Sequence, residues 1–298
     1  MFRTAALAGA LTLALAPTIE PPVADQSRGR INLEAADCSR INMMFGDYEV
    51  ARAEQHTTVP LAAGALELRP DANGGVRIER GSGSAYEITA CIAAGARSVA
   101  EAQAAADDMR LIVEGNKVRV ASSSGRAPSV RSWSVQLVVM APDGAKIDAE
   151  TSNGPIGVAG VDGNFNLRAS NGPISLDGVA GEVTARAANG PISIEGSRGQ
   201  FDVQTSNGPI SVRLEGRRWD GRLDARASNG PLSVSVPSDY QSGVEISSSE
   251  HSPWNCRAAA CRSGNRDWDD RSRSLRIGSD PVVVRLTTVN GPVTVNER

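Results

Sequence analysis

The tripeptide Asn-Gly-Pro occurs six times in 298 residues, and its first three intervals are each 18 residues long. The asparagines are Asn153, Asn171, Asn189, Asn207, Asn229 and Asn290. The fourth interval is 22, one period plus four residues inserted around Arg213 to Arg218, and the fifth is 61, read as three periods plus seven. Self-similarity of this kind makes each period one unit that buries its apolar face only against its neighbours. Each period carries two stretches of period-2 alternation. Phe165-x-Leu167-x-Ala169 and Val183-x-Ala185-x-Ala187 precede the tripeptide, and Ile174-x-Leu176 and Ile192-x-Ile194 follow it. Such alternation marks half-buried strands, with Asn166, Arg168, Thr184 and Arg186 facing solvent. Gly160 and Gly178 mark a second bend.

Asn-Gly is also a hairpin signal, so an antiparallel meander competes with a β-solenoid. The solenoid is preferred because one residue type recurs at each position: Asn over Asn, Pro over Pro, Ile over Ile. A meander has no reason to keep such a ladder, and a propeller blade needs about 40 residues. The expected fold is therefore all-β, a single-chain parallel β-solenoid (β-helix) of 18-residue coils. At the corner, glycine is expected to take positive φ, proline to fix the turn, and stacked asparagine amides to bond coil to coil. The same asparagine row could bind a ligand, but corner chemistry explains it without one.

Export is written at the N-terminus. Arg3 precedes Ala5 to Ala16, an uncharged apolar run of 12, too short to span a bilayer and suited to a signal peptide. Pro17, Pro21 and Pro22 argue against a buried helix there. Cleavage at the Ala14-Leu15-Ala16 box or near Ala24 gives a mature start between residues 17 and 26. No later run of 18 apolar residues exists, so no transmembrane segment is expected. Four cysteines in an exported chain point to disulfides. Cys256 and Cys261 are near neighbours in NCRAAAC, which leaves Cys38 with Cys91. A metal site competes weakly, since His56 and His251 are the only histidines.

The remaining segments place the ends. Leu66-x-Leu68 and Val76-x-Ile78 read as short strands, and Ser98 to Met109 as a helix with a capping box from Ser98 to Glu101. That helix is expected to cover an open edge of the first coil. Residues 1–24 are thus a signal peptide, 25–60 an N-terminal lead and part of the cap, and 61–298 the repeat domain. An irregular stretch at 251–273 interrupts the period and is expected to project as a loop from coils that close without it. Its binding candidates are Trp254, Arg257, Arg262, Arg266 and Trp268. The final coil, residues 282 to 295, is expected to leave free backbone groups and to self-associate weakly, unless the tail or the insertion folds over it.

The serial T/A-S-N-G-P-I-S-V/L/I coils, with a strand, a short Ala-rich helix and a strand upstream, resemble a bacterial family of β-strand-repeat domains of unknown function labelled adhesins. The resemblance covers roughly residues 50 to 298. It implies a right-handed β-solenoid at or outside the cell envelope, without catalytic residues.

Function follows as three expectations. The first is a non-catalytic exported envelope or cell-surface scaffold that binds an unidentified polymer or protein. The second is a polymer-forming structural protein. The third is a polysaccharide-acting β-helix enzyme, which needs carboxylates clustered in register. Asp162, Asp177, Asp202 and Asp224 are read as falling at four different phases of the period. No G-x-S-x-G or H-E-x-x-H motif occurs. No catalytic residue, metal or cofactor is expected. With 31 Lys+Arg against 34 Asp+Glu, the net charge of −3 excludes a globally basic nucleic-acid binder. Aromatics at 4% leave the core to small and branched aliphatics.

Overall fold

A computed structural model describes residue 38 and residues 46–70, 73–123 and 132–298. The segment expected to be a signal peptide, residues 1–24, and most of the expected lead lie outside the described residues.

Alternating sequence becomes two large sheets. Sheet 1 has 11 strands, in the spatial order Glu49–Pro60, Ala85–Ala96, Ser132–Ala141, Gly74–Arg80, Ile156–Ala159, Ile174–Asp177, Ile192–Gly196, Ile210–Leu214, Leu232–Val236, Val293–Glu297 and Trp254–Cys256. Sheet 2 has 12, in the order Asn265–Trp268, Ser272–Ile277, Gly243–Ser249, Val282–Asn290, Asp220–Asn229, Arg198–Asn207, Ala180–Ala187, Asp162–Ala169, Ala145–Thr151, Leu66–Arg69, Lys117–Ser122 and Met109–Glu114. The central strands pair in parallel and in register, so Phe165 lies beside Val183 and Val183 beside Phe201. Ile174, Ile192 and Ile210 form the matching row in sheet 1.

The inward rows of both sheets meet in one continuous core. Leu66, Ile147, Phe165, Leu223 and Val284 fill it from sheet 2, and Val76, Ile156, Ile174, Leu232 and Val293 from sheet 1. Burying each large aliphatic chain stabilises by about 1.5–3 kcal/mol, so the alternation itself holds the two sheets together. Thr151, Thr205 and Thr288 replace alanine at one inward position, two residues before an asparagine. Their hydroxyls donate to the carbonyls of Gly154, Gly190 and Gly230 at 2.8, 3.0 and 2.7 Å, so none of these three is stranded.

The corner glycines differ from the expectation. Positive φ occurs at the second bend, as at Gly160 (68°) and Gly178 (60°), and not at any Asn-Gly-Pro glycine. The corner needs glycine for close approach instead. A Cβ on Gly172 would stand 2.1 Å from the Gly154 carbonyl oxygen, and one on Gly190 would stand 2.1 Å from that of Gly172. Glycine stacks on glycine because any side chain would meet the backbone of the preceding repeat.

Order along the chain and order in space part company at both ends. Asn229 pairs directly with Asn290, so the 61-residue interval is one step of the ladder and not three periods plus seven. Val282–Asn290 lies between Asp220–Asn229 and Gly243–Ser249, and Val293–Glu297 lies between Leu232–Val236 and Trp254–Cys256. The free edge expected on residues 282 to 295 is therefore occupied on both sides. The physical basis for self-association through that coil is gone, because strands from 243–256 take up its backbone groups. Nor is 251–273 a loop standing off coils that close without it: Ala258 and Cys261 are buried in the main core.

The N-terminal end is built likewise. Leu66–Arg69 and Gly74–Arg80 sit next to the first repeat, and strands from residues 85–141 pair outside them. Residues 49–60, read from sequence as part of an aperiodic lead, form a 12-residue strand antiparallel to Ala85–Ala96. The helix Val99–Asp108 starts at Ser98, whose hydroxyl accepts from the Glu101 amide at 3.3 Å. It buries Ala102, Ala105 and Ala106 and leads into the edge strand Met109–Glu114 of sheet 2.

Candidate binding surface

Three surfaces carry the residues singled out in the sequence: the asparagine row, the open face of sheet 2 and the C-terminal end.

The asparagines form a chain of side-chain amides. Nδ2 of Asn171, Asn189, Asn207, Asn229 and Asn290 each donates to Oδ1 of the preceding member at 3.0–3.1 Å. The row begins one step earlier than the tripeptide count indicates, since Asn153 Nδ2 donates to Asn73 Oδ1 at 3.4 Å. Asn73 was missed because its corner reads Asn-Gly-Gly. The signal was present: Val76-x-Ile78 follows it, and Val76 pairs with Ile156. The amides of this row are exposed, so each bond contributes modestly to stability, about 0.5–1.5 kcal/mol.

Sheet 2 corrects the reading of the acids. Asp202 and Asp224 are direct partners on neighbouring strands, and Asp148 occupies the same position three strands before Asp202. They share one phase of the period, which the 22-residue step from Asp202 to Asp224 disguised. Register alone does not make them acid–base catalysts. Asp148 is met by Arg69 at 2.6 Å and Arg168 at 3.3 Å, Asp202 by Arg186 at 2.6 Å, and Asp224 by Arg222 at 2.5 Å. Glycoside hydrolysis needs a pair of carboxyl groups free to face the substrate, and each of these three is engaged by a guanidinium group. Asp224 Oδ1 is buried and has no partner among the described residues. Also among the described residues, no group of three or more His, Cys, Asp or Glu could hold a metal ion.

The C-terminal end brings the loop candidates together. Trp254 continues the inward row of sheet 1 beside Val293, and its indole Nε1 donates to Ser248 Oγ of sheet 2 at 2.7 Å. It is half-buried and bridges the two sheets. Trp268 lies on the edge strand Asn265–Trp268 and is 51% exposed, 6.2 Å from the Trp254 ring. The Arg273 and Arg266 guanidinium groups lie 5.0 and 5.9 Å from the Trp268 ring centroid. Arg273 also donates to the Ser252 carbonyl at 3.0 Å, and Arg266 to that of Cys261 at 3.2 Å. Arg257, Arg262 and Arg266 are exposed. Asp269 closes the hairpin turn: the amides of Arg271 and Ser272 donate to its Oδ1 at 2.7 Å and hold the carboxyl below its usual range.

Disulfides brace both ends. Cys256 is joined to Cys261 within the C-terminal end, and Cys38 to Cys91 on the strand Ala85–Ala96. Cys38, Cys91, Ala93 and Val138 form a small buried cluster apart from the main core.

No family model matches the chain, and no curated protein matches it. Among solved structures, a "putative cell adhesion protein" from Clostridium sporogenes is similar at 11% identity with a TM-score of 0.31, over 83% of this chain and 100% of that one. A "putative adhesin" from Bacteroides fragilis is similar at 9% identity and TM-score 0.33, over 83% and 97%. Another from Parabacteroides merdae is similar at 8% and 0.30, over 85% and 98%. Scores this low carry no argument about function; what they report is a distant structural likeness to three bacterial proteins described as adhesins.

Proposed function

We propose that the protein is a non-catalytic, exported envelope or cell-surface scaffold that binds a partner through its C-terminal end. The observation that carries this reading is the construction of that end: an exposed tryptophan, exposed arginines and a disulfide, seated on a continuous double ladder. A rigid base lowers the ordering entropy lost on binding, and tryptophan and arginine commonly dominate binding energy. Guanidinium forks suit carboxylate or phosphate groups on envelope polymers. The two ladders are read as one right-handed solenoid of 18-residue coils spanning residues 61–298. The helix Val99–Asp108 serves as its N-terminal cap and residues 251–273 as its C-terminal one. Export is supported by the apolar run Ala5 to Ala16 and by two disulfides, which persist in oxidising compartments. Among the described residues, no helix is long and apolar enough to cross a membrane.

The test is binding of the mature protein to envelope fractions, compared with a Trp268→Ala/Arg262→Gln/Arg266→Gln variant. Those side chains are exposed, so the fold should persist. Binding should fall at least tenfold, about 1.4 kcal/mol. Unchanged binding by a folded variant would move the site to a sheet face.

A further inference from the structure

Asparagine followed by glycine is the pair most prone to spontaneous deamidation, because an unhindered backbone nitrogen can reach the side-chain carbonyl carbon. Seven such pairs stand in one row here, from Asn73-Gly74 to Asn290-Gly291. The row does not hold its members equally. Asn207 and Asn229 each donate through Nδ2 and accept at Oδ1. The amides that follow them are engaged as well: Gly208 N–H donates to the Asn229 carbonyl and Gly230 N–H to the Asn290 carbonyl, both at 2.9 Å. Asn153, Asn171 and Asn189 also have both side-chain ends held, but the amides of Gly154, Gly172 and Gly190 have no backbone acceptor among the described residues. Asn290 differs on both counts. Its Nδ2 donates to Asn229 at 3.0 Å, but among the described residues nothing donates to its Oδ1 and nothing accepts from the Gly291 amide.

We infer that Asn290 is the site at which the folded protein undergoes deamidation. The Gly291 amide nitrogen, giving its proton to solvent base, attacks Cγ of Asn290. The N–Cγ bond forms, the Cγ–Nδ2 bond breaks, and ammonia leaves after taking a proton from solvent. Water then opens the cyclic imide at either carbonyl to give isoaspartate or aspartate, with no change of oxidation state. Ring closure must pull the amide out of the row and needs a free glycine nitrogen. Inside the row that breaks two amide bonds, and at the two end members, Asn73 and Asn290, it breaks one; of these, Gly74 belongs to the strand Gly74–Arg80 whereas Gly291 lies outside any strand. Isoaspartate would add a methylene to the backbone between Val282–Asn290 and Val293–Glu297. That corner supports the C-terminal end, since Val293 N–H donates to the Pro253 carbonyl at 2.8 Å.

The experiment ages the folded, disulfide-bonded protein in warm, mildly alkaline buffer and quantifies deamidation and isoaspartate in each Asn-Gly peptide. Asn290 should react fastest, about fivefold ahead of Asn153, Asn171 and Asn189, from which it differs by one hydrogen bond of ordinary net strength, and about 25-fold ahead of Asn207 and Asn229, from which it differs by two. Asn153, Asn171 and Asn189 should fall between, and in denaturant all seven rates should converge. Asn207 or Asn229 reacting as fast as Asn290 in the folded protein would overturn the assignment. An Asn229→Ser variant separates the row from simple fraying of the end. It removes the donor to Asn207 Oδ1 well inside the ladder, so Asn207 should accelerate about fivefold. An unchanged Asn207 rate in the folded variant would also overturn it.

Discussion

At the N-terminal end stand a 10-residue helix and a 12-residue strand, whereas at the C-terminal end stand a helix of four residues, a three-residue strand and a hairpin. The parts differ and the plan is the same. Each end has a disulfide, and each has an aromatic side chain reaching from sheet 1 to sheet 2. At the N-terminal end this is Tyr86, whose hydroxyl accepts from the Lys146 amide at 2.9 Å. Burial raises its pKa above the usual phenol range, against a smaller lowering by the Lys146 backbone. At the other end it is Trp254, bonded to Ser248. At the C-terminal end the outermost strands, Trp254–Cys256 and Asn265–Trp268, are not the last in sequence; at the N-terminal end the outermost strand of sheet 1, Glu49–Pro60, is the first in sequence, but that of sheet 2, Met109–Glu114, follows Leu66–Arg69, which lies inside it. A parallel ladder leaves an unpaired edge wherever it stops, and more repeats only move that edge along. This chain stops its ladder by sending irregular sequence outward and tucking a regular rung inside it.

The comparison can be broken most severely at the C-terminal end. Replacing residues 252 to 272 by a Gly-Ser linker removes Trp254 and uncovers Val293 and Val295. At about 1.5–3 kcal/mol per side chain, the loss should be about 5 kcal/mol. Denaturant unfolding measures it, and an unchanged midpoint would return 251–273 to the status of a dispensable loop.

The disulfides sharpen the contrast between the ends. Chain-entropy arguments give about 4 kcal/mol for the Cys38–Cys91 link, which closes 53 residues, and about 2 kcal/mol for Cys256–Cys261, which closes 5. The Cys38→Ala/Cys91→Ala variant should therefore unfold at clearly lower denaturant than Cys256→Ala/Cys261→Ala. Equal midpoints would mean that the denatured chain already holds residue 38 near residue 91.

The bridging aromatics should separate by a smaller margin. Tyr86→Phe leaves the Lys146 amide without its acceptor and the Lys146 carbonyl without the hydroxyl that donates to it at 3.2 Å, at a cost of about 1–3 kcal/mol. Trp254→Phe strands only the Ser248 hydroxyl, which also donates to the Ser249 carbonyl at 3.1 Å, and should cost about 1 kcal/mol. A larger loss at Trp254 would reverse the ranking of the two bridges.

The smallest effect belongs to the Asp269 turn. Its folded carboxyl titrates below the unfolded one, so the turn's contribution is present at neutral pH and is lost as pH falls through the folded value. Amide exchange at Arg271 and Ser272 should accelerate, relative to the intrinsic rates, once the medium is more acidic than the ordinary carboxylate range. An Asp269→Asn variant should show no such step. Acid-independent exchange in the unaltered protein would remove the carboxylate from the turn.

How much could be read beforehand depended on distance along the chain. From Asn153 to Asn229, neighbours in space are neighbours in sequence, so the strands, the inward rows and the asparagine row were legible as repetition. Asn73 belongs to the same row, but its corner is changed and the repeat does not show it; Asn290 keeps the corner, and only the 61-residue step before it was misread. The acids of sheet 2 were misread for a related reason: a 22-residue step hid the alignment of Asp202 with Asp224. The loop candidates were legible as residue types and not as positions. Nothing local says that Trp254 turns inward to bridge the sheets while Trp268 stays exposed.

By itself, the sequence determined the alternating strands, the 18-residue spacing of their partners and the requirement for glycine at each corner. Only the tertiary structure decided why glycine is needed there, since the limit is the carbonyl of the neighbouring repeat and not the corner's own dihedral angles. It alone decided the order of strands at both ends. Backbone hydrogen bonds carry no mark of the side chains above them, so the pairing of an edge is set by which segment can cover the exposed core, and that is a property of the assembled sheets.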